Sequence, residues 1–339
     1  IYTGEDTLSY TTLFRSENLF TVEIPMTVTF RGVNSRQSAL ICGPYGWGEF
    51  APFLEYGAQE SAAWLACTLE AAWLPTPKPV RTRIPLNATL PAVPAERVPE
   101  VLAKYEGEIQ ELKIKVAEKG QSLADDIARV AAAREALPNA RLKVDANMGY
   151  TLAGALEALR KLCEYGIIYA EQPVASIEDM AALRFAIAKE GLPARIAADE
   201  SIRKAEDPLK VARANAADLM VIKAAPLGGV RRALALVEQA QLPAVVSSAL
   251  ESSVGIATGA SLAASLPTLR YGCGLGTVSL MAEDVTDEPL IARDGFMDLR
   301  AITPNPRRLE RLATDKQTRQ WWVERVTACY RVLERACGL

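Results

Sequence analysis

The chain has 339 residues, half of them apolar, with 38 basic and 41 acidic side chains and a formal net charge of −3. That is enough for one large core plus a smaller domain, and the near-balance of charge gives no electrostatic reason to expect nucleic acid or an anionic membrane surface as a partner. Histidine is absent, which excludes Ser-His-Asp and Cys-His nucleophile systems and imidazole-held zinc or iron.

Residues 1–20 carry Glu5, Asp6 and Glu17 and lack the basic start and apolar stretch of a signal peptide. No run of about eighteen apolar residues suggests a membrane span, so the expectation is a cytoplasmic protein. Phe20–Phe30 reads as a strand, Ser38–Gly43 as a second, and Gly46-Trp47-Gly48-Glu49-Phe50 as a loop or a turn anchored by a buried Trp47. Gln59–Trp73 carries apolar residues at helical intervals, and Pro75, Pro77 and Pro79 then mark a linker.

A rhythm follows. Short apolar runs at 84–90, 112–116, 142–146, 167–171, 195–199, 219–223, 244–248 and 271–275 alternate with helical patterns at 122–137, 152–165, 177–190, 207–214, 229–240 and 255–265. This α/β alternation predicts a closed β/α barrel. No G-x-G-x-x-G follows the first run, which argues against an open doubly wound sheet. The expected division is an N-terminal α+β capping domain over 1–82 and a catalytic barrel over 83–284. A C-terminal segment over 285–339, ending in a helix at 315–337, is expected to pack partly back on the cap. The six cysteines are irregularly spaced with no C-x-x-C and read as reduced, mostly buried thiols.

The chemistry is suggested by how the runs end. The third ends in Asp145, the fourth in Glu171, the fifth in Asp199 followed by Glu200, and the sixth in Lys223; the second holds Lys113 and Lys115, two apart and so on one face. Successive spacings from Lys115 are 30, 26, 28 and 24 residues, about one βα unit each. Barrel enzymes place catalytic groups at the C-terminal strand ends, and neighbouring strands lie roughly 4.8 Å apart. Three carboxylates can therefore reach one cation. With oxygen as the only donor, Mg²⁺ is the expected ion and Mn²⁺ a second choice. Without histidine, proton transfer falls to groups such as lysine; a nearby metal and a second ammonium would depress a lysine pKa toward base range.

Lys113-Ile-Lys115, Asp145-Ala-Asn147, Glu171-Gln-Pro173, Asp199-Glu-Ser201 and Val221-Ile-Lys223 together resemble the motif set of the enolase superfamily, muconate-lactonising subgroup, whose members pair a lysine or histidine base with Mg²⁺. Phe30-Arg-Gly32, the stretch from Gly46 to Phe53, Ala197–Arg203, Pro226–Val230 and Ser247–Gly255 narrow the resemblance to the branch that forms 2-succinylbenzoate for menaquinone. The resemblance implies a (β/α)7β modified TIM barrel with an α+β cap. It implies Asp145, Glu171 and Asp199 as metal ligands, with Asn147 and Glu200 behind them. Lys115 would be the base, Lys223 the cation opposite it, and Lys113 a support for Lys115. Ser247 and Ser248 would touch the substrate's tail, and Arg31 with the loop around 32–37 would form a mobile lid that completes the pocket. The implied partner is a small carboxylate, and the reaction a Mg-dependent syn dehydration of 2-succinyl-6-hydroxy-2,4-cyclohexadiene-1-carboxylate. Racemisation of N-succinylamino acids needs the same two lysines and stays open. Dipeptide epimerisation is disfavoured, because Gly274-Leu275-Gly276 offers no Asp-x-Asp for an amine. A non-catalytic barrel would not need so many crowded charges. The oligomeric state is left open, a monomer being compatible.

Overall fold

The computed structural model describes residues 18–30, 33–203 and 207–337. Alternating side chains at the start of this stretch bury Val22 and Ile24 and expose Glu23 and Pro25, the signature of a sheet with one covered face. Strands β1 (Leu19–Phe30), β2 (Val33–Gly43) and β3 (Gly46–Phe50) form this antiparallel sheet in that order. The segment expected as a loop around Trp47 is therefore the edge strand β3, paired to β2 with Trp47 opposite Cys42, and Trp47 is half-buried. Helix α1 (Ala58–Trp73) lies on the sheet through Trp64 and Leu65. The approach is close enough that a Cβ on Gly48 would sit 2.1 Å from the Thr68 carbonyl oxygen.

The rhythm after residue 83 becomes a parallel sheet of seven strands: β5 (Ala88–Leu90), β6 (Glu111–Lys115), β7 (Arg141–Asp145), β8 (Ile167–Glu171), β9 (Arg195–Ala198), β10 (Leu219–Ile222) and β11 (Ala244–Val246), adjacent in that sequence. Preceding them, β4 (Arg83–Pro85) pairs with β12 (Phe296–Asp298) instead. Helices α2 (Leu123–Ala136), α3 (Leu152–Leu162), α4 (Ile177–Lys189), α5 (Val230–Ala240) and α6 (Ser253–Ser265) connect or follow the strands. Of the helix expected over 207–214, residues 210–213 are helical.

The eighth run, 271–275, makes isolated bridges rather than a regular strand. Cys273 bridges Leu86 and Gly274 bridges Ser247, both in parallel sense. Backbone bonds from Asn87 N to Cys273 O (3.0 Å) and from Ser248 N to Gly274 O (3.0 Å) join the first strand to the seventh and close the barrel. Backbone excludes a side chain at Gly272, where a Cβ would lie 2.8 Å from the Leu86 carbonyl carbon, and Gly274 leaves room for Ser247, whose Oγ would lie 2.6 Å from a Cβ there.

Inside the barrel, Tyr169, Ala197, Leu219, Val221, Val245 and Tyr271 form their own apolar cluster. Against this cluster, 5.3 Å from the Tyr169 ring centre, Lys143 Nζ donates to Glu111 Oε2 (3.0 Å) and Gly272 O (2.8 Å), and Gly272 N donates to Glu111 (2.8 Å). This buried pair ties β6 and β7 to the closing segment.

Cap and barrel are joined by side chains that satisfy buried backbone groups. Arg36 donates to the carbonyls of Leu250 (3.1 Å), Ala249 (3.3 Å) and Ala51. Glu49 accepts from Ser252 N (3.1 Å), Ser252 Oγ (2.7 Å) and Gly255 N (2.9 Å) at the start of α6, where a helix leaves amides unpaired. The last helix, α7 (Lys316–Cys337), runs beside α1; its Arg325 donates to Phe53 O (2.7 Å) and Tyr56 O (2.8 Å). Cys67, Cys273 and Cys329 are buried and Cys42 and Cys163 half-buried, all as free thiols. No helix among the described residues is long and apolar enough to cross a membrane.

Candidate active site

Register places the ionisable residues. Lys115 pairs with Asp145 across β6 and β7, Asp145 with Glu171 across β7 and β8, and Glu171 with Ala197 across β8 and β9. Asp199 lies two residues beyond Ala197, and Lys223 four beyond Leu219, the partner of Ala197 on β10. Even offsets keep all of them on one face of a pleated strand, the face turned into the barrel. Asp145, Glu171 and Asp199 are 1%, 1% and 2% exposed.

Three ammoniums meet these carboxylates. Lys115 Nζ donates to Asp145 Oδ2 (2.6 Å) and Asn147 Oδ1 (2.5 Å). Lys113 Nζ lies 3.2 Å from both Asp145 Oδ2 and Glu171 Oε1. Lys223 Nζ donates to both oxygens of Asp199, at 2.7 and 2.5 Å. Asn147 Nδ2 in turn donates to Glu200 Oε1 (3.3 Å). The structure thus brings Lys113, Lys115, Lys223, Asp145, Glu171, Asp199, Asn147 and Glu200 into one cluster.

The electrostatics follow from this crowding. Burial pushes the Glu171 carboxyl up to about 7, with the Asp145 charge adding to the rise and Lys113 only partly offsetting it. Burial acts the same way on Asp145, yet Lys115 and then Lys113 outweigh it and hold that carboxyl well below the usual range. On Lys113 burial pulls the ammonium down, but Glu171, Asp145 and Asp199 together hold it above its ordinary value.

The donor set suits a hard cation: three carboxylates, all oxygen, on three neighbouring strand ends. Among the described residues no three acidic or cysteine side chains are drawn to metal-ligand separation of one another. Ammoniums stand between them instead, and Lys113 held equally by Asp145 and Glu171 marks a position where one positive centre is shared by two carboxylates. That arrangement fits a cation site built from the same side chains.

Ser247 and Ser248 follow β11. Ser248 Oγ is 2.7 Å from Thr277 Oγ1, and both serines line a cavity with Glu49, Ala225, Glu251 and Leu275 at the cap–barrel junction. They flank the ion-paired cluster from the next strand over. Of the lid expected over Arg31 and 32–37, Arg31 and Gly32 lie outside the described residues, and Val33 to Gln37 are not a loop but the first part of β2, paired to β1.

Gln172 is a structural contributor that spacing alone did not single out. It sits inside the Glu171-Gln-Pro173 motif in a left-handed conformation, φ +37, and is fully buried. Its Oε1 accepts from Asp199 N (3.0 Å) and Ser201 N (3.1 Å), and its Nε2 donates to Ser201 Oγ (2.8 Å) and Val174 O (3.0 Å). One amide therefore joins the tip after Glu171 to the tip that carries Asp199. The visible signal was its place directly after an acidic strand end.

Comparison with known proteins agrees with this geometry. A family model described as "Enolase C-terminal domain-like" matches residues 95–304, and "Enolase N-terminal domain-like" matches 21–72. The chain is 54% identical over 318 residues to an o-succinylbenzoate synthase of Mycolicibacterium smegmatis, covering 94% of this chain and 96% of that protein. It is 50% identical over 323 residues to an o-succinylbenzoate synthase of Mycobacterium leprae, with 95% and 94% covered. Among solved structures, a muconate lactonizing enzyme from Pseudomonas fluorescens superposes with TM-score 0.71 at 21% identity, over 88% of this chain and 98% of that one, and shares the fold. With both domain models matched and half the residues shared nearly end to end, the chain belongs to the o-succinylbenzoate synthase family, lyases of the enolase superfamily.

Proposed function

We propose that the chain dehydrates 2-succinyl-6-hydroxy-2,4-cyclohexadiene-1-carboxylate to 2-succinylbenzoate in menaquinone biosynthesis. The observation that carries this reading is the register that sets Lys115 and Lys223 on either side of three buried acidic strand ends.

Asp145, Glu171 and Asp199 would hold one Mg²⁺, Mn²⁺ being an acceptable substitute for an all-oxygen donor set. When bound, the divalent ion supplies Lewis-acid charge to the substrate carboxylate and so favours the enediolate. Lys115 Nζ takes the α-proton. The same ammonium then returns that proton to the departing hydroxyl, so water leaves from the same face and the ring becomes aromatic. Lys223 stabilises the enediolate with its fixed positive charge, partly as a cation over the forming ring. Lys113, paired to both Asp145 and Glu171, supports Lys115 by keeping those carboxylates neutralised. Asn147 orients Lys115 and is itself oriented by Glu200. Ser247, Ser248 and Arg31 would contact the substrate.

Purified protein with Mg²⁺ should convert the cyclohexadiene substrate to 2-succinylbenzoate, and Lys115→Ala should abolish conversion while keeping the wild-type melting temperature. Absence of turnover in wild type contradicts the proposal. The same lysine pair also permits 1,1-proton transfer on an N-succinylamino acid; solvent deuterium entering that substrate would reveal it.

A further inference from the structure

The residue assigned as base ends β6, and its own peptide group is held from outside the barrel. Helix α2 carries Asp126 and Arg129 one turn apart, 1% and 0% exposed. Arg129 Nη1 donates to the backbone carbonyl of Lys115 (2.9 Å) and to Asp126 Oδ1 (2.9 Å). Its Nε donates to Val93 O (2.6 Å) and its Nη2 to Gln121. Asp126 Oδ2 accepts from Ala117 N (2.9 Å) and from the Tyr150 hydroxyl (2.7 Å). The carbonyl before Val116 and the amide after it are thus both gripped by one buried ion pair.

Two features separate this from a pair that merely seats a helix on a sheet. Ala117 adopts φ +57, a conformation that costs energy for a residue with a Cβ, and its amide is held there by Asp126. Tyr150 comes from the loop after β7, the strand bearing Asp145 and leading to Asn147, the two residues that Lys115 Nζ bonds inside the barrel. The same two strand tips are therefore linked twice, by the Lys115 side chain within and by Asp126, Arg129 and Tyr150 without. A close approach at Gly149, where a Cβ would meet the Ala117 carbonyl oxygen at 2.6 Å, leaves little room for slippage. Burying two charges is costly, and apolar replacements of such pairs are often neutral or stabilising, so adhesion alone does not account for the pair.

We propose that Asp126, Arg129 and Tyr150 are positioning residues for proton transfer, fixing the β6 tip so that Lys115 Nζ meets the substrate's α-carbon; this rests on Lys115 being the base.

The test replaces the pair by apolar residues of similar size, Asp126→Leu with Arg129→Met, and separately makes Tyr150→Phe. Steady-state dehydration kinetics, the Mg²⁺ concentration for half activity, and melting temperature are measured. In the double variant kcat should fall about ten- to a hundredfold, the range that small misplacements of a reacting group produce. KM should stay within about twofold, as expected when an interaction used in the transition state is lost, and the Mg²⁺ requirement should hold, while the melting temperature should fall because the Ala117 amide loses its acceptor. Tyr150→Phe should lower kcat roughly fivefold, the effect of one hydrogen bond, and it decides the matter if the double variant does not fold. Wild-type kcat in Tyr150→Phe and in a folded double variant, or a rise in KM at unchanged kcat, overturns this inference alone. An inactive wild type, or full activity in Lys115→Ala, overturns the assignment of the base and this inference with it.

Discussion

Replacing Gln172 with leucine probes how the metal-type carboxylates are held without touching any of them. The side chain is fully buried, and leucine is close to it in volume. Leucine cannot accept from Asp199 N and Ser201 N, nor donate to Ser201 Oγ and Val174 O. A buried donor left without a partner costs about 1–3 kcal/mol, so the two amides alone place the loss at about 2–6 kcal/mol. Against a typical total of about 5–15 kcal/mol, that is a large share. Because Asp199 N is one of the stranded amides, the carboxylate after it should also lose its fixed direction. Urea denaturation followed by fluorescence should show a lower midpoint at unchanged slope, and Mg²⁺ titration of activity should show a raised half-saturation. A loss under about 1 kcal/mol with an unchanged Mg²⁺ requirement would refute the reasoning.

Glu49→Gln tests the cap junction by pH. Burial holds the Glu49 carboxyl above its ordinary value despite the Ser252 and Gly255 bonds; the native state therefore keeps a proton that the unfolded chain releases, and wild-type stability falls as pH rises from the ordinary carboxylate range through the raised folded value. Melting temperatures across that window should show the glutamine variant gaining on wild type as pH rises, and the opposite slope would contradict the assignment. Gly48→Ala puts a Cβ 2.1 Å from the Thr68 carbonyl oxygen and should cost about 1–3 kcal/mol by forcing α1 off β3, read as a lowered melting temperature; an unchanged melt would show that the two elements separate freely.

What the sequence made legible is what depends on local spacing. Period-two apolar runs and helical intervals located the barrel, because each unit repeats the same burial problem. The acidic and basic strand ends stood out because charged residues close apolar runs at one-unit intervals. The parts that escaped depend on residues far apart in the chain. The eighth run looked like a strand, but Gly272 and Gly274 are set by the close approach of Leu86 and Ser247, which no local pattern encodes. The Trp47 stretch becomes a strand only because β2 pairs with it. Arg36 and Glu49 carry no local signal of their role, since their partners at Ala249, Leu250, Ser252 and Gly255 lie more than 200 residues on. The number of carboxylates facing Lys113 is likewise a tertiary fact.

Isothermal titration of Mg²⁺ into the chelator-treated protein addresses the central claim directly. One ion per chain should bind to wild type, and Glu171→Gln and Asp199→Asn should each abolish or greatly weaken that binding while remaining folded. No binding to wild type, or undiminished binding in both variants, would contradict a cation shared by these three strand ends.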